Sequence, residues 1–196
     1  MKKLIDKRII KVSILLMLMG IISGIVFFII TSGLDKMIVK NELLEYTSIS
    51  NIKFSLSSLV NSFKYNIIYV IVITICSVMY LFSPVILFVN YYKGLVIGFL
   101  VSSFIYSFKL KGILYSLVSL FPHHIIMCIF IIVYSSIMFN ISLKLIRGTL
   151  NKESICLSIF VKKILLLFII GLIICLVSSI LEVVLNNYLV NLVIDK

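Results

Sequence analysis

Residues 12–31 read VSILLMLMGIISGIVFFIIT, twenty positions without a charged side chain. A run of that length matches the roughly 30 Å hydrocarbon layer of a bilayer and exceeds what an ordinary core helix needs. Further apolar runs fall at about 67–89, 94–108, 112–142 and 164–181. Across the 196 residues 62% are hydrophobic, and the mean hydropathy is +1.27. A soluble domain of this size has too much surface to hide that much apolar side chain. In hydrocarbon no water satisfies the backbone, so each crossing must bond to itself as a helix. The expected fold class is all-α: a polytopic integral membrane helix bundle forming one membrane domain over 1–196.

Small residues then point to helix contacts. Gly20 and Gly24 form one G-x-x-x-G in the first span, and Gly94 and Gly98 form a second. This spacing lets two helix backbones approach closely, so all four are expected helix-packing positions. The chain has no alanine, which leaves that task to glycine and serine. It also leaves no A-x-A cleavage site, so residues 1–31 are expected to stay as a first span.

The span count turns on proline. Pro84 lies in the last turns of the expected 67–89 span and should kink it. The stretch NYYKG, 90–94, is expected as a turn into a short third span, 94–108. Pro122 breaks the 112–142 run into 112–121 and 125–142. The first piece, about ten residues at roughly 1.5 Å each, is too short to traverse. Five crossings are expected, or six if both pieces traverse. The outer loop 32–65 contains Ile52, Leu56, Leu59, Val60 and Phe63 at helical spacing. They predict an amphipathic helix over 51–65, lying in the membrane interface or packed back on the bundle.

The net charge of +11 does not indicate nucleic acid, because lysines and arginines cluster at the ends of the apolar runs. There they set orientation and meet anionic headgroups. With the N-terminus in the cytoplasm and five crossings, eleven basic residues lie inside and seven outside, Lys93 among the inner ones. The expectation is a multi-pass protein of the bacterial cell membrane, C-terminus outside, with the lipid bilayer as its first partner.

Catalytic signatures are missing from the sequence. It holds seven acids, six of them outside the apolar runs, and no H-E-x-x-H, G-x-S-x-G or P-loop. Cys76, Cys128, Cys156 and Cys175 form no C-x-x-C. No enzyme activity, metal or cofactor is expected. The two histidines, His123 and His124, follow Pro122 directly. Adjacent helical residues point about 100° apart and do not face one ion together. The proline frees carbonyls in the preceding turn. His123 is therefore expected to serve them or a neighbouring helix, with 121–124 turned to the bundle interior; an intramembrane proton relay is the sharper alternative. Glu182 is placed at the outer end of the last span, as an interfacial acid, a partner contact or a helix–helix bond.

At these residues the chain resembles the stage II sporulation protein M family. The segments LLMLMGIISGIV (15–26), KGLVIGFLV (93–101), GILYSLVSLFPHHII (112–126), ISLKLIRG (141–148) and SSILEVVLNNYL (178–189) come in that family's order. Gly94, Gly98, Pro122, His123 and Glu182 match its pattern. The chain departs from it at His124 and Met127, where many relatives carry a small or amide residue and an acid. It departs again at Leu185-Asn186-Asn187, where many carry a proline. The resemblance implies a non-catalytic scaffold of the engulfment machinery. Such an anchor assembles with stage II sporulation proteins D and P, which cut peptidoglycan. Self-association stays open. The competing reading is a small permease, or an exporter subunit with a separate ATPase.

Overall fold

The structure is a computed structural model and describes residues 6–48, 56–119, 121–151 and 157–194. Among them are seven α-helices and no strand: α1 (Lys7–Ile30), α2 (Gly33–Ser48), α3 (Leu56–Val78), α4 (Ser83–Phe108), α5 (Leu110–Ser119), α6 (Phe121–Leu150) and α7 (Leu157–Ile194). Five of them, α1, α3, α4, α6 and α7, are long and apolar enough to cross a membrane. The fold is the all-helical membrane bundle that the apolar runs require.

Several boundaries differ from the sequence expectation, each for a local reason. Pro84 does not kink a span. It sits in the first turn of α4, where the missing N–H is not needed and the fixed φ suits a helix start. The chain breaks earlier, at a single 3-10 turn, Tyr80–Phe82. The second crossing is therefore 56–78, and the third runs 83–108 straight through NYYKG. That moves Lys93 from a loop into a membrane helix. The expected interfacial helix is likewise absent as a separate element. Leu56, Leu59, Val60 and Phe63 form the opening turns of α3, and Ile52 lies outside the described residues. The loop after α1 holds α2 instead. The runs that end at 142 and 181 in the sequence extend as helices: ISLKLIRG continues α6, and the residues after Glu182 continue α7 to Ile194. The break before Pro122 is present as the junction of α5 and α6.

Contacts give the helix directions. Gly20 meets Tyr91 and Leu95, while Gly24 meets Leu95 and Phe99, so α1 and α4 run parallel. Gly94 and Gly98 reach back to the carbonyls of Met17 and Ile21. The two G-x-x-x-G motifs thus interlock with each other inside one chain, and this is the most extensive helix contact in the fold. A methyl on any of the four would land on a backbone atom of the facing helix. Gly112 repeats the device where α5 folds back against the Phe104 carbonyl. By contrast α3 and α7 run antiparallel, with Asn66 at Ser179 and Val70 at Gly171.

Helix α6 is the centre. Met127, Ile131, Tyr134, Met138, Ile141 and Leu145 alternate by four and three residues and are buried, a seam that packs on α3, α4 and α7. Polar side chains stitch the same helices. Thr74 Oγ1 lies 2.6 Å from the Val70 carbonyl and 2.7 Å from Tyr134 Oη. Thr74 has one proton and gives it to Val70, so the tyrosine hydroxyl donates to Thr74. Tyr134→Phe removes that interhelical bond. It should cost about 0.6–1.7 kcal/mol, measured by unfolding in mixed micelles. Outward-facing positions such as Leu15, Leu18, Ile22 and Ile29 remain exposed and apolar, as lipid contact demands.

Candidate functional site: an ionisable row inside the bundle

Four helices direct polar side chains to one place. On α3, Ser62, Asn66 and Tyr69 recur at helical spacing; on α7, Cys175, Ser178, Ser179 and Glu182 do the same. Helix α4 supplies Lys93, and the first turn of α6 supplies His123 and His124. The antiparallel register of α3 and α7 brings Asn66 Nδ2 to 3.4 Å from Ser179 Oγ. A hydrogen bond also links Ser62 to the Glu182 carboxyl.

Lys93 is the most costly member. It is the eleventh residue of the 26-residue α4, near the helix midpoint, and its side chain is 3% exposed. A lysine at the centre of a membrane helix is disfavoured by about 2.5–3.5 kcal/mol on insertion scales. Its ammonium lies 4.5 Å from the centre of the Tyr69 ring, a cation–π contact. Among the described residues no carboxylate comes within 4.0 Å of it. Its charge nevertheless acts on Cys128, Glu182, Cys175 and His124, so these groups share one electrostatic neighbourhood.

The imidazoles share the lysine's neighbourhood, and one of them meets the glutamate. His123 Nε2 is 3.7 Å from Glu182 Oε2, and the two histidine rings are 4.2 Å apart centre to centre. Both ring nitrogens of His124 are buried without a hydrogen-bond partner among the described residues. The backbone carbonyl of His123 accepts from Ser178 Oγ at 3.4 Å. Placing His123 in the interior agrees with its position beside the α5–α6 break. Of the roles expected for Glu182 the structure favours the helix–helix contact, three residues before the end of the candidate span Phe160–Leu185. Glu182 is 25% exposed, on a helix that continues for three more turns, and it faces His123.

The row continues toward the other end of the bundle as uncharged groups. Asn90 Nδ2 donates to Ser135 Oγ at 2.9 Å, and Ser13 and Ser136 hydroxyls meet at 3.4 Å. Sequence reading missed Lys93, Tyr69 and Asn90. A signal was present: Lys93 sits nine residues after Pro84, inside an apolar segment, at the very edge of the glycine motif. Read as a turn, the same letters place the charge in water. Among the described residues no three His, Cys, Asp or Glu side chains group as metal ligands. What the arrangement offers is proton binding and charge pairing.

Fold and site together define a multi-pass helical membrane protein with an ionisable centre. The particular family follows from comparison. Residues 10–190 match the family model described as Stage II sporulation protein M, and the chain belongs to that family. No curated protein and no solved structure matches the chain.

Proposed function

We propose that this sporulation-family membrane protein is a non-catalytic scaffold of engulfment, anchoring peptidoglycan-cutting partners such as stage II sporulation proteins D and P. The observation that carries the reading is the family match over 10–190. In the proposed orientation the N-terminus is cytoplasmic. Taking Lys93 into the membrane leaves ten basic residues inside against seven outside, so the bias keeps its direction. Helix α2 then lies on the wall side and presents Leu34, Met37 and Ile38 exposed, a docking face for a partner or the headgroup region.

The interlocked glycines face each other and are not free for a partner, so the docking test belongs on α2. Tagged full-length protein, co-expressed with the two hydrolase partners and purified in mild detergent, should retain at least one of them. Met37→Glu with Ile38→Glu should lower recovery several-fold while the bundle stays folded. Undiminished recovery would remove α2 from the interface, and no recovery from the wild type would sink the scaffold reading. A second reading, an exporter subunit, is favoured by the buried row. Recovery of an ATP-hydrolysing subunit in place of a wall hydrolase would support it.

A further inference from the structure

We propose that Glu182, His123, His124 and Lys93 form an intramembrane proton-exchange site, entered from the membrane face on which α1 ends and α3 begins. The inference goes beyond the scaffold reading and does not depend on it. It starts from placement. Glu182 is 25% exposed, and His124 is part-exposed with its two ring nitrogens sealed, whereas His123 and Lys93 are buried. Two contacts link the titratable groups: carboxyl to imidazole at 3.7 Å, and imidazole to imidazole at 4.2 Å between centres; the lysine charge acts on both His124 and Glu182. The packing of each helix keeps these groups together. Ser178 holds the His123 carbonyl, Ser62 holds Glu182, and Tyr69 covers Lys93.

The elementary step balances without any added reagent. A proton on Glu182 Oε2 passes to His123 Nε2: the O–H bond breaks, the N–H bond forms, and a neutral pair becomes a carboxylate–imidazolium ion pair. A small rotation or one water closes the 3.7 Å gap. His124, with both nitrogens buried and no hydrogen-bond partner among the described residues, is the next group to which the charge can be relayed. The titratable and charged groups around the row are Tyr69 from α3, Tyr92 and Lys93 from α4, Cys128 from α6, and Cys175 and Glu182 from α7; of these, Lys93 acts on His124 and Glu182 stands 3.7 Å from His123. The described side chains of α5 add none. Intramembrane ionisable residues of this kind mark proton and ion pathways.

The chain is well suited to a decisive test, because its only two histidines both lie in this row. Imidazole is the side chain whose ordinary titration falls between about pH 5 and pH 8. Full-length protein with ¹⁵N-labelled histidine, in lipid nanodiscs, gives ring-nitrogen signals from these two residues alone. We expect at least one ring to change protonation across that pH range, and Glu182→Gln to alter the profile. Lys64→Gln, on the exposed start of α3, should leave it unchanged. In parallel, the thermal midpoint should shift with pH by about 3–5 °C in wild type and less in Glu182→Gln. Ring signals indifferent to pH, or a profile identical in Glu182→Gln, would overturn the proposal. A responsive profile together with failed hydrolase recovery would leave this site standing and remove only the scaffold.

Discussion

Gly94→Leu should leave little folded protein in the membrane, and even Gly94→Ala should lower stability by about 3 kcal/mol, the upper end of what overpacking costs. The reason is what the new atom meets. At Gly20, Gly24, Gly94 and Gly98 the first side-chain carbon falls on backbone carbonyl oxygens and amides of the facing helix. A flexible side chain could step aside; a helix backbone moves only by separating the two helices. Separation also pulls apart Phe28 and Phe99, whose ring centres lie 5.3 Å apart across the same seam. Gly20→Ala and Gly94→Ala open the same gap, so the double variant should cost clearly less than the sum of the singles. Gly33→Ala, with nothing within 4 Å of its new carbon, is the control and should be near neutral. Thermal unfolding followed by size-exclusion in detergent reads all five. A Gly94→Ala protein as stable as Gly33→Ala would refute the interlock.

Lys93→Met is expected to raise the thermal midpoint, in contrast to most buried substitutions. The lysine sits near the middle of α4 with no carboxylate within 4.0 Å among the described residues. Methionine has nearly the same length and carries no charge. Removing the desolvated ammonium should return about 2.5–3.5 kcal/mol on insertion scales. The lost cation–π contact with Tyr69 takes back about 0.5–2 kcal/mol. The net effect is a gain of about 0.5–3 kcal/mol, readable in the same thermal assay. A residue that lowers stability where it stands is one retained for activity, which is the usual trade at functional sites. If Lys93→Met instead unfolds the bundle, the lysine is a structural element and its place in the ionisable row has a different meaning.

Much of the architecture was legible before any coordinates. Uncharged runs longer than a bilayer crossing needs specified spanning helices, and the ten residues before Pro122 were too few to add a sixth crossing. The four small residues could be picked out because glycine at a four-residue spacing has few other uses in an apolar helix. Less legible was where a helix begins. Pro84 is compatible with both a kink and a first turn, and one residue type carries no mark to tell them apart. That ambiguity displaced Lys93 into a loop and, with it, hid the site. The length of the last helix was hidden for a similar reason: the apolar count ends near Leu181, yet the helix continues to Ile194.

By itself the chain's order of residues determined the solvent and the class of secondary structure, and narrowed the crossings to five or six, because each depends on transfer free energy summed along a segment. Which glycine motif meets which, and whether a lysine, two imidazoles and a carboxyl from three helices share one interior, depended on lateral packing. Those contacts join residues 71 or more positions apart on α1 and α4, and some 60 apart on α6 and α7. Nothing local in the sequence encodes such distances; only the folded bundle supplies them.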